Sequence, residues 1–335
     1  MGIKSLAFLA LASGGAPRVI HGMLGRGRAS VLMYHGIVRD PLAVGDWCFV
    51  GEADFGKQIK YLARHFEVVA LADLPERLQR PAPQRPLAAI TFDDGYESNY
   101  ALAWPVLRKY GLPATIFLNT ALVGGDDTVW FCRLNDALAR SVRREIGWQG
   151  RPVSIATAGE KAAAGDFLQE SLKKLAPEKM AAECDRIIRE LGAMPGRPVE
   201  PGSPYRMLAP AQVAEMARGG LIEFGAHTRT HAILAPLPDE RLREEIEGSI
   251  DDVEAITGRP CRTFAYPNGR DGDFDRRAID LLRQRGISAA VTTIGGPNMR
   301  ATPPLELRRY GIGAGMPWSD FLLEIHHVKN WLRGR

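Results

Sequence analysis

The sequence predicts an α/β protein, a distorted, TIM-barrel-like (β/α) barrel of about seven parallel strands with a helical insertion. Short apolar runs alternate with helical patterns along most of the chain, which is typical of parallel β-α units. Several of these runs end in polar residues and glycine, as strands do at the carboxyl face of a barrel. The alternation stops between residues 121 and 205 and then resumes, so we interpret that stretch as an insertion and not as a separate domain.

The elements before the insertion alternate between strand and helix. The first apolar run ends in His35 and Gly36. Further along the chain, Gly111 is placed to end the helical pattern at 100–110. The predicted elements are a strand at 30–36, a helix at 55–65, a strand at 66–71, a strand from 88 toward Asp93, a helix at 100–110 and a strand at 113–118.

The insertion contains helical patterns and no strong strand pattern. We predict helices around 130–138 and 167–175, and a third from Pro177, which suits a first helical turn. Inserted at the exit of a strand, the segment could form one wall of a substrate cleft, or it could be a packing elaboration without substrate contact. The sequence leaves both interpretations open.

The β-α alternation resumes after the insertion. Gly258 and Gly286 follow two apolar helical patterns and are placed to end them. The predicted elements are a helix at 209–218, a strand at 221–226, an amphipathic helix at 238–257, a strand at 263–266, a helix at 278–285, a strand at 287–292 and a last strand at 308–312.

The composition describes an ordinary globular protein of 335 residues, with 45% hydrophobic and 24% charged residues. Lys and Arg number 43 against 39 Asp and Glu, a net charge of +4 that is too small and too scattered for a nucleic-acid footprint. We therefore expect no nucleic-acid partner.

The four cysteines, Cys48, Cys132, Cys184 and Cys261, are far apart and form no C-x-x-C pair. A zinc-cysteine site is therefore not expected. We predict free core thiols in a reducing compartment, with two disulfides as the alternative.

Residues 1–29 are predicted to be an N-terminal apolar lead. Lys4, an apolar run to Ala12 and small residues follow in the order of a secretory signal, but the run is very short and no clear break follows it. It is also too short to span a bilayer. The interpretation that we favour joins it to residues 18–24, as a lead that packs on the domain or rests at a membrane surface. We expect a cytoplasmic or inner-membrane-peripheral protein, with export through a short signal as the alternative.

Two adjacent carboxylates, Asp93 and Asp94, follow the apolar run that begins at Ala88. In a strand they would point to opposite faces, but Gly95 allows a sharp turn that brings both into one pocket. One acid could then bind a cation while the other transfers a proton. The alternative is an Asp-Asp-Gly turn that only closes a strand.

His227 and His231 are four residues apart, so on a helical turn they would project from one face and could hold one ion. Two histidines and an aspartate give the three-ligand pattern of a catalytic metal site with an open position for water. A parallel barrel can bring such ligands together at its carboxyl face. The pair could equally be two solvated histidines without a metal.

Three segments together resemble the first three motifs of the polysaccharide deacetylase family, also called the NodB-homology domain. They are residues 91–95 (TFDDG), 227–231 (HTRTH) and 264–269 (FAYPNG). The family comprises metal-dependent enzymes that remove N- or O-acetyl groups from sugars. The resemblance covers about 31–312 except for most of the insertion, and it implies a NodB-homology domain at 30–335 with the insertion at about 121–205.

The resemblance also implies roles for individual residues. Asp93 would be the catalytic base, and Asp94, His227 and His231 would bind a divalent ion, zinc first, with cobalt or nickel as alternatives. The turn at Asn268 would stabilise the oxyanion through a backbone N–H, and Tyr266 would belong to the same oxyanion and substrate region.

The sequence departs from the common family pattern at two places. Ala265 stands where many members have an arginine that steadies the base, and Arg308 or Arg309 is a candidate replacement. The C-terminal His326 and His327 do not match the usual acid motif. The Tyr-His-Gly sequence around His35 instead resembles the permuted arrangement of poly-N-acetylglucosamine deacetylases, which implies that His35 is the general acid. The alternative for His35 is a hydrogen-bonded core histidine.

The expected function is removal of acetyl groups from N-acetylated oligo- or polysaccharides, with release of acetate. The resemblance further implies a role in cell-surface or exopolysaccharide assembly. The alternative, motivated by the missing arginine, is a catalytically impaired carbohydrate-binding member of the same fold.

Overall fold

The computed structural model describes residues 19 and 21–332 of the chain. Most of the predicted N-terminal lead therefore lies outside the described residues, as does the short signal considered as its alternative. Residues His21–Gly25 form a π-helical turn just before the first strand. Within the described part, no helix combines the length and apolar character needed to cross a membrane.

The strands follow the predicted order, although several are shorter than predicted. They are β1 (Arg28–Tyr34), β2 (Gly36–Val38), β3 (Phe49–Gly51), β4 (Glu67–Val68), β5 (Leu87–Phe92), β6 (Ala114–Leu118), β7 (Glu145–Trp148), β8 (Arg151–Ser154), β9 (Ile222–Ala226), β10 (Thr263–Ala265), β11 (Ala289–Val291), β12 (Asn298–Met299) and β13 (Tyr310–Gly311).

The helices alternate with these strands outside the insertion. They are α1 (Glu52–His65), α2 (Leu74–Gln79), α3 (Trp104–Tyr110), α4 (Trp130–Arg140), α5 (Ala158–Leu172), α6 (Pro177–Glu190), α7 (Pro210–Arg218), α8 (Asp239–Thr257), α9 (Arg276–Gln284), α10 (Trp318–Ile325) and α11 (Val328–Leu332). Gly111 and Gly258 end α3 and α8 in the left-handed conformation, as the sequence predicts.

The parallel strands form a curled sheet in the order β11-β10-β9-β6-β5-β1. The segment 307–311 closes it, because Leu307 forms a parallel bridge with Val291 of β11 while β13 pairs in parallel with β1. With this closing segment the ring contains the seven parallel strands that the sequence predicts. The distorted (β/α) barrel is thus confirmed.

The barrel interior is filled by alternate residues of its strands. Leu87 and Ala89 of β5 pack in the inner cluster with Ala265 and Val291, whereas Ala88 and its outward-facing neighbours pack against the helices. Strands buried on both faces in this way are typical of parallel barrels. The inward-facing series of β5 continues at residues 91 and 93, so the alternation itself directs Asp93 to the interior.

The insertion has its own hydrophobic core, built from α4, α5, α6 and a strand pair. The three predicted helices are present, and the insertion also contains strands that the sequence did not predict, because β7 and β8 form an antiparallel hairpin. Its two-residue turn, Gln149 and Gly150, has positive φ at both positions, as the favoured hairpin turns require. Each strand has only four residues, and β7 buries two of them, Ile146 and Trp148. Such a short alternation is difficult to detect in a sequence.

The four cysteines are free and buried, as predicted.

Candidate active site

The exit of β5 brings both aspartates to one site. The Asp93 backbone N–H donates to the Tyr34 carbonyl oxygen of the neighbouring β1, which extends the strand pairing to the first carboxylate. Asp94 and Gly95 then adopt left-handed backbone conformations, with φ of 72° and 79°. Aspartate tolerates this conformation better than most residues. The predicted sharp turn is present, and both carboxylates reach the site.

Asp93 is held by Arg309. The guanidinium donates from both terminal nitrogens, 2.6 Å to Oδ1 and 2.8 Å to Oδ2, and its Nε donates to the Thr292 carbonyl oxygen. Both side chains are almost completely buried, at 0% and 3% exposure. Burial raises the pKa of Asp93, but the Arg309 charge and hydrogen bonds, aided by His227, outweigh burial and lower it to about 2.

Arg309 thus lies where the missing motif arginine would act, and it comes from the segment that closes the barrel. Of the two candidates, Arg308 does not contact Asp93. The Arg308 backbone exchanges hydrogen bonds with the Asn298 side chain. Ala265, at the motif position, instead offers its carbonyl oxygen to His227.

Asp94, His227 and His231 form a cluster whose candidate ligand atoms all lie within 4.8 Å of one another. Nε2 of each histidine lies 3.7 Å from Oδ1 of Asp94. His227 Nδ1 is 2.7 Å from the Ala265 carbonyl oxygen. A carbonyl can only accept, so Nδ1 carries the hydrogen, and in the neutral imidazole Nε2 is then the nitrogen that presents a lone pair to the carboxylate.

This cluster fits a divalent cation. Burial lowers the pKa of His231 to about 3, so this imidazole is neutral at physiological pH. Asp94 Oδ1 accepts from Asn119 Nδ2 at 3.0 Å, while the buried Oδ2 has no hydrogen-bond partner among the described residues. Lone pairs and a carboxylate that converge in a buried site repel one another without a positive charge between them. Two nitrogens and one oxygen are a usual catalytic zinc ligand set.

The His227–His231 segment is a loop and not the helical turn that the four-residue spacing predicts. Thr228 and His231 both have φ of 61°, outside the helical region. Glu245 of α8 shapes the loop, because its buried carboxylate accepts from the Arg229 and Thr230 backbone N–H groups and from the Thr230 hydroxyl, at 2.7–3.0 Å. The two imidazoles therefore converge through a fixed loop and not through helical periodicity.

His35 lies at the exit of β1 and lines the same cavity of about 580 Å³ as Asp93, His227 and His231. Its side chain is 8% exposed, and Nδ1 has no hydrogen-bond partner within the described ranges. The ring meets the indole of Trp47 edge to face, with 5.0 Å between the centroids. His35 is therefore a buried histidine at the cavity wall with an unused ring nitrogen.

Asn268 lines the cavity, in a turn where its φ is 58°. Its side chain donates to Asp273, and its backbone N–H has no acceptor in the part of the chain that the structure describes. The prediction for Tyr266 is wrong, because its side chain is fully buried outside the cavity. The Tyr266 hydroxyl donates to the Leu305 carbonyl oxygen, and the ring stacks on Phe274.

His326 and His327 also lie outside the cavity lining. Nε2 of His326 is 2.9 Å from the Tyr61 hydroxyl, and Nδ1 of His327 is 2.9 Å from the Tyr310 hydroxyl. Both histidines are buried. They hold the C-terminal helices against the barrel.

Sequence reasoning missed several residues of the site. Asn119 follows β6, so its position at a strand exit was a usable signal. Trp47 and Phe131 line the cavity from a loop and from α4. The polar face of α5, which with the adjoining Lys173 supplies four further lining residues, resembles any solvated helix face in a sequence.

The chain belongs to the polysaccharide deacetylase family, whose model matches residues 80–290. The resemblance seen in the motifs is thus confirmed. A Bacillus subtilis (strain 168) protein, YxkH, provisionally named a polysaccharide deacetylase, is 35% identical over 96 residues, which is 28% of this chain and 33% of that protein. The match thus spans about a third of the length of that relative.

Solved structures of low sequence identity have the same fold. The deacetylase PplD of Streptococcus pyogenes, solved with acetate, is 18% identical with a TM-score of 0.58, and the match covers 90% of this chain and 99% of PplD. IcaB from Ammonifex degensii is 19% identical with a TM-score of 0.57, covering 90% and 98%. BC0361, a polysaccharide deacetylase from Bacillus cereus, is 21% identical with a TM-score of 0.57, covering 90% and 69%.

Proposed function

We propose that this protein is a metal-dependent deacetylase that removes acetyl groups from N-acetylated sugars and releases acetate, in the assembly of an exported polysaccharide. The observation that carries the proposal is the division of labour between two adjacent acids. Asp93 is paired with Arg309, while Asp94 faces His227 and His231. One acid is thereby kept for proton transfer and the other for a cation.

Asp94, His227 and His231 would hold the divalent ion, zinc first, with cobalt or nickel as alternatives. When bound there, such an ion polarises the attacking water and the acetamide carbonyl. The Glu245 contacts and the His227 hydrogen bond to Ala265 keep the three side chains oriented toward one point.

Asp93 would accept the proton of the attacking water. Arg309 keeps the carboxylate ionised at physiological pH and fixes its orientation through two hydrogen bonds. The Asn268 backbone N–H is available to donate to the oxyanion of the tetrahedral intermediate. The side chains that hold the base are thus separate from the donor that stabilises the developing charge.

His35 would protonate the departing amine, since an amine leaves only after it has gained a proton. Its Nδ1 has no competing partner among the described residues, and the ring lines the same cavity as the base. We expect His35→Ala to release acetate about 10²- to 10⁴-fold more slowly with the metal content unchanged. Full activity in this variant would assign the acid to another group.

The direct test is acetate release from N-acetylglucosamine oligomers and polymers by wild type and Asp93→Asn. We expect release by the wild type, loss in the variant, and no effect of the surface substitution Asp185→Asn, whose ion pair lies on α6. Metal analysis of the same preparations measures the bound ion. Equal release by wild type and Asp93→Asn would refute the role of the base.

The alternative of a catalytically impaired carbohydrate-binding protein was motivated by Ala265 at the motif arginine position. Arg309 supplies the ion pair that this position lacks. The reason for considering this alternative is thereby removed, and the deacetylase is the function that we propose.

A further inference from the structure

One face of α5 in the insertion lines the catalytic cavity. Its lining residues are Asp166, Gln169, Glu170 and the adjoining Lys173. They are spaced i, i+3, i+4 and i+7, so they form a single stripe along the helix. An inserted segment that turns a whole polar stripe toward the metal-site cavity is a wall of that cavity.

The first anchor of this wall is an ion pair to the turn that contains Asn268. Arg270 donates to both carboxylate oxygens of Glu170, at 2.7 and 3.0 Å. The Arg270 backbone N–H and the Asn268 side chain donate to the same oxygen of Asp273. The helix is thereby tied to the turn proposed to stabilise the oxyanion.

The second anchor runs to the loop on the other side, which contains Trp47. Gln169 donates to Asn135 at 3.0 Å, and Asn135 donates to Asp46 at 2.7 Å. The buried Asp46 accepts the Cys48 backbone N–H at 3.0 Å. The α5 stripe is therefore fastened to both loops that flank the site.

We propose that the α5 stripe is the substrate-selecting wall of the cleft, which contacts the sugar units next to the one that is deacetylated. The proposal rests on the proposed function. The chemistry of the stripe suits an uncharged, hydroxyl-rich saccharide. Glu170 is paired with Lys173 and Arg270, Gln169 retains a free amide oxygen, and the Asp166 carboxylate has no protein partner among the described residues.

The neighbouring aromatic rings agree with this ligand class. Trp47, 48% exposed, and Phe131 line the same cavity and present apolar faces beside the polar stripe. Apolar surface with a few placed polar groups is the usual lining of a small-molecule or saccharide site. The wall would thus determine how many units of an N-acetylated chain the cleft recognises.

The experiment compares kcat/KM for acetate release across a series of N-acetylglucosamine oligomers from dimer to hexamer. For Glu170→Ala and Asp166→Asn we expect the ratio of hexamer to dimer to fall about three- to tenfold, through KM. The double variant Glu170→Arg/Arg270→Glu, which reverses the ion pair, should recover part of the ratio that Glu170→Arg or Arg270→Glu alone loses. Glu183→Gln, which removes an ion pair of α6 outside the cavity, should keep the wild-type ratio.

Asp166→Asn keeps the test independent of folding, because no hydrogen bond or ion pair within the described chain depends on that carboxylate. An unchanged ratio in both Glu170→Ala and Asp166→Asn would overturn the proposal. Hexamer titration of Asp93→Asn, with and without Glu170→Ala, separates the two hypotheses. If the wild type releases no acetate but Glu170→Ala weakens hexamer binding, only the proposed activity is refuted. If hexamer binding is absent, or is equal with and without Glu170→Ala, the proposed role of the α5 stripe is refuted.

Discussion

The cleft contains two arginine–carboxylate pairs of nearly equal geometry in opposite environments. Arg309 and Asp93 meet at 2.6 and 2.8 Å in the barrel interior, with side chains 0% and 3% exposed. Arg270 and Glu170 meet at 2.7 and 3.0 Å at the rim, with side chains 56% and 44% exposed. The similar distances therefore do not imply similar contributions to stability, because water screens the outer pair and not the inner one.

The difference between the pairs matches the tasks of the two regions. The inner pair leaves Asp93, the proposed base, one orientation, since breaking the pair would leave a buried charge without a partner. The outer pair is screened by water, so breaking it costs little stability. The barrel side of the cleft is accordingly held by a buried ion pair, and the insertion side by a pair that water screens.

The largest expected effect comes from breaking the inner pair. Arg309→Met leaves Asp93 buried without a partner, which typically costs about 3–5 kcal/mol of stability. Urea unfolding of the metal-free protein measures this loss, and Arg270→Met provides the matched outer variant with a loss below about 1 kcal/mol. Equal losses in the two variants would contradict the comparison.

The next effect tests how firmly the barrel side of the cleft holds the proposed metal ligands. Glu245→Gln replaces a buried carboxylate that accepts three hydrogen bonds from the ligand loop, so we expect a 10- to 100-fold loss of zinc affinity, roughly. Calorimetric titration of metal-free protein with Zn²⁺ is the measurement. Glu247→Gln, which removes the ion pair with the exposed Arg243 on the outer face of α8, should bind as wild type does. Unchanged zinc affinity in Glu245→Gln would contradict the role of the Glu245 hydrogen bonds in positioning the two histidines.

The smallest effect is the pH dependence of stability. The folded pKa of Asp93 is lowered to about 2, so its stabilisation is present above the unfolded value near 4 and is lost as pH falls toward 2, on the order of 2 kcal/mol. In Arg309→Met, burial raises that pKa, and the contribution changes sign, so that stability falls as pH rises. Urea unfolding between about pH 2.5 and 7 distinguishes the two.

The outer pair provides the control for this pH experiment. The Arg270 hydrogen bonds also lower the pKa of Glu170 to about 2, but the half-exposed carboxylate is screened by water. Glu170→Gln should therefore leave the pH profile close to that of wild type. If stability loses as much of its acid sensitivity in Glu170→Gln as in Arg309→Met, the assignment of that sensitivity to the inner pair is contradicted.

The sequence predicted the parts of the site that lie within contiguous motifs. Asp93, Asp94, His227 and His231 follow strand ends, so the carboxyl face of a parallel barrel brings them together without further information. The parallel β-α architecture itself follows from the alternation of apolar runs and helices. These predictions depend on local pattern and on one topological rule.

The remaining parts depend on tertiary contacts that no local pattern contains. Arg309 was separable from Arg308 only once the register of the closing segment on β1 was known, because one residue changes which side chain faces inward. The segment 227–231 was predicted to be a helical turn because a separation of four residues is typical of helices, whereas hydrogen bonds to Glu245 stabilise a loop there. Tyr266 lies inside a motif, yet its hydroxyl is used in the core.

The closing segment also ties the site to the end of protein synthesis. Asp93 leaves the ribosome more than two hundred residues before Arg309, which follows it by 216 positions. Until residues 307–311 join β11 to β1, an assembling barrel has an open seam beside an unpaired acid. A seam that admits water is favourable for that charge, and its closure becomes favourable only when the guanidinium arrives. A nascent chain that is stopped before Arg309 therefore contains every proposed metal ligand but lacks the guanidinium that positions Asp93.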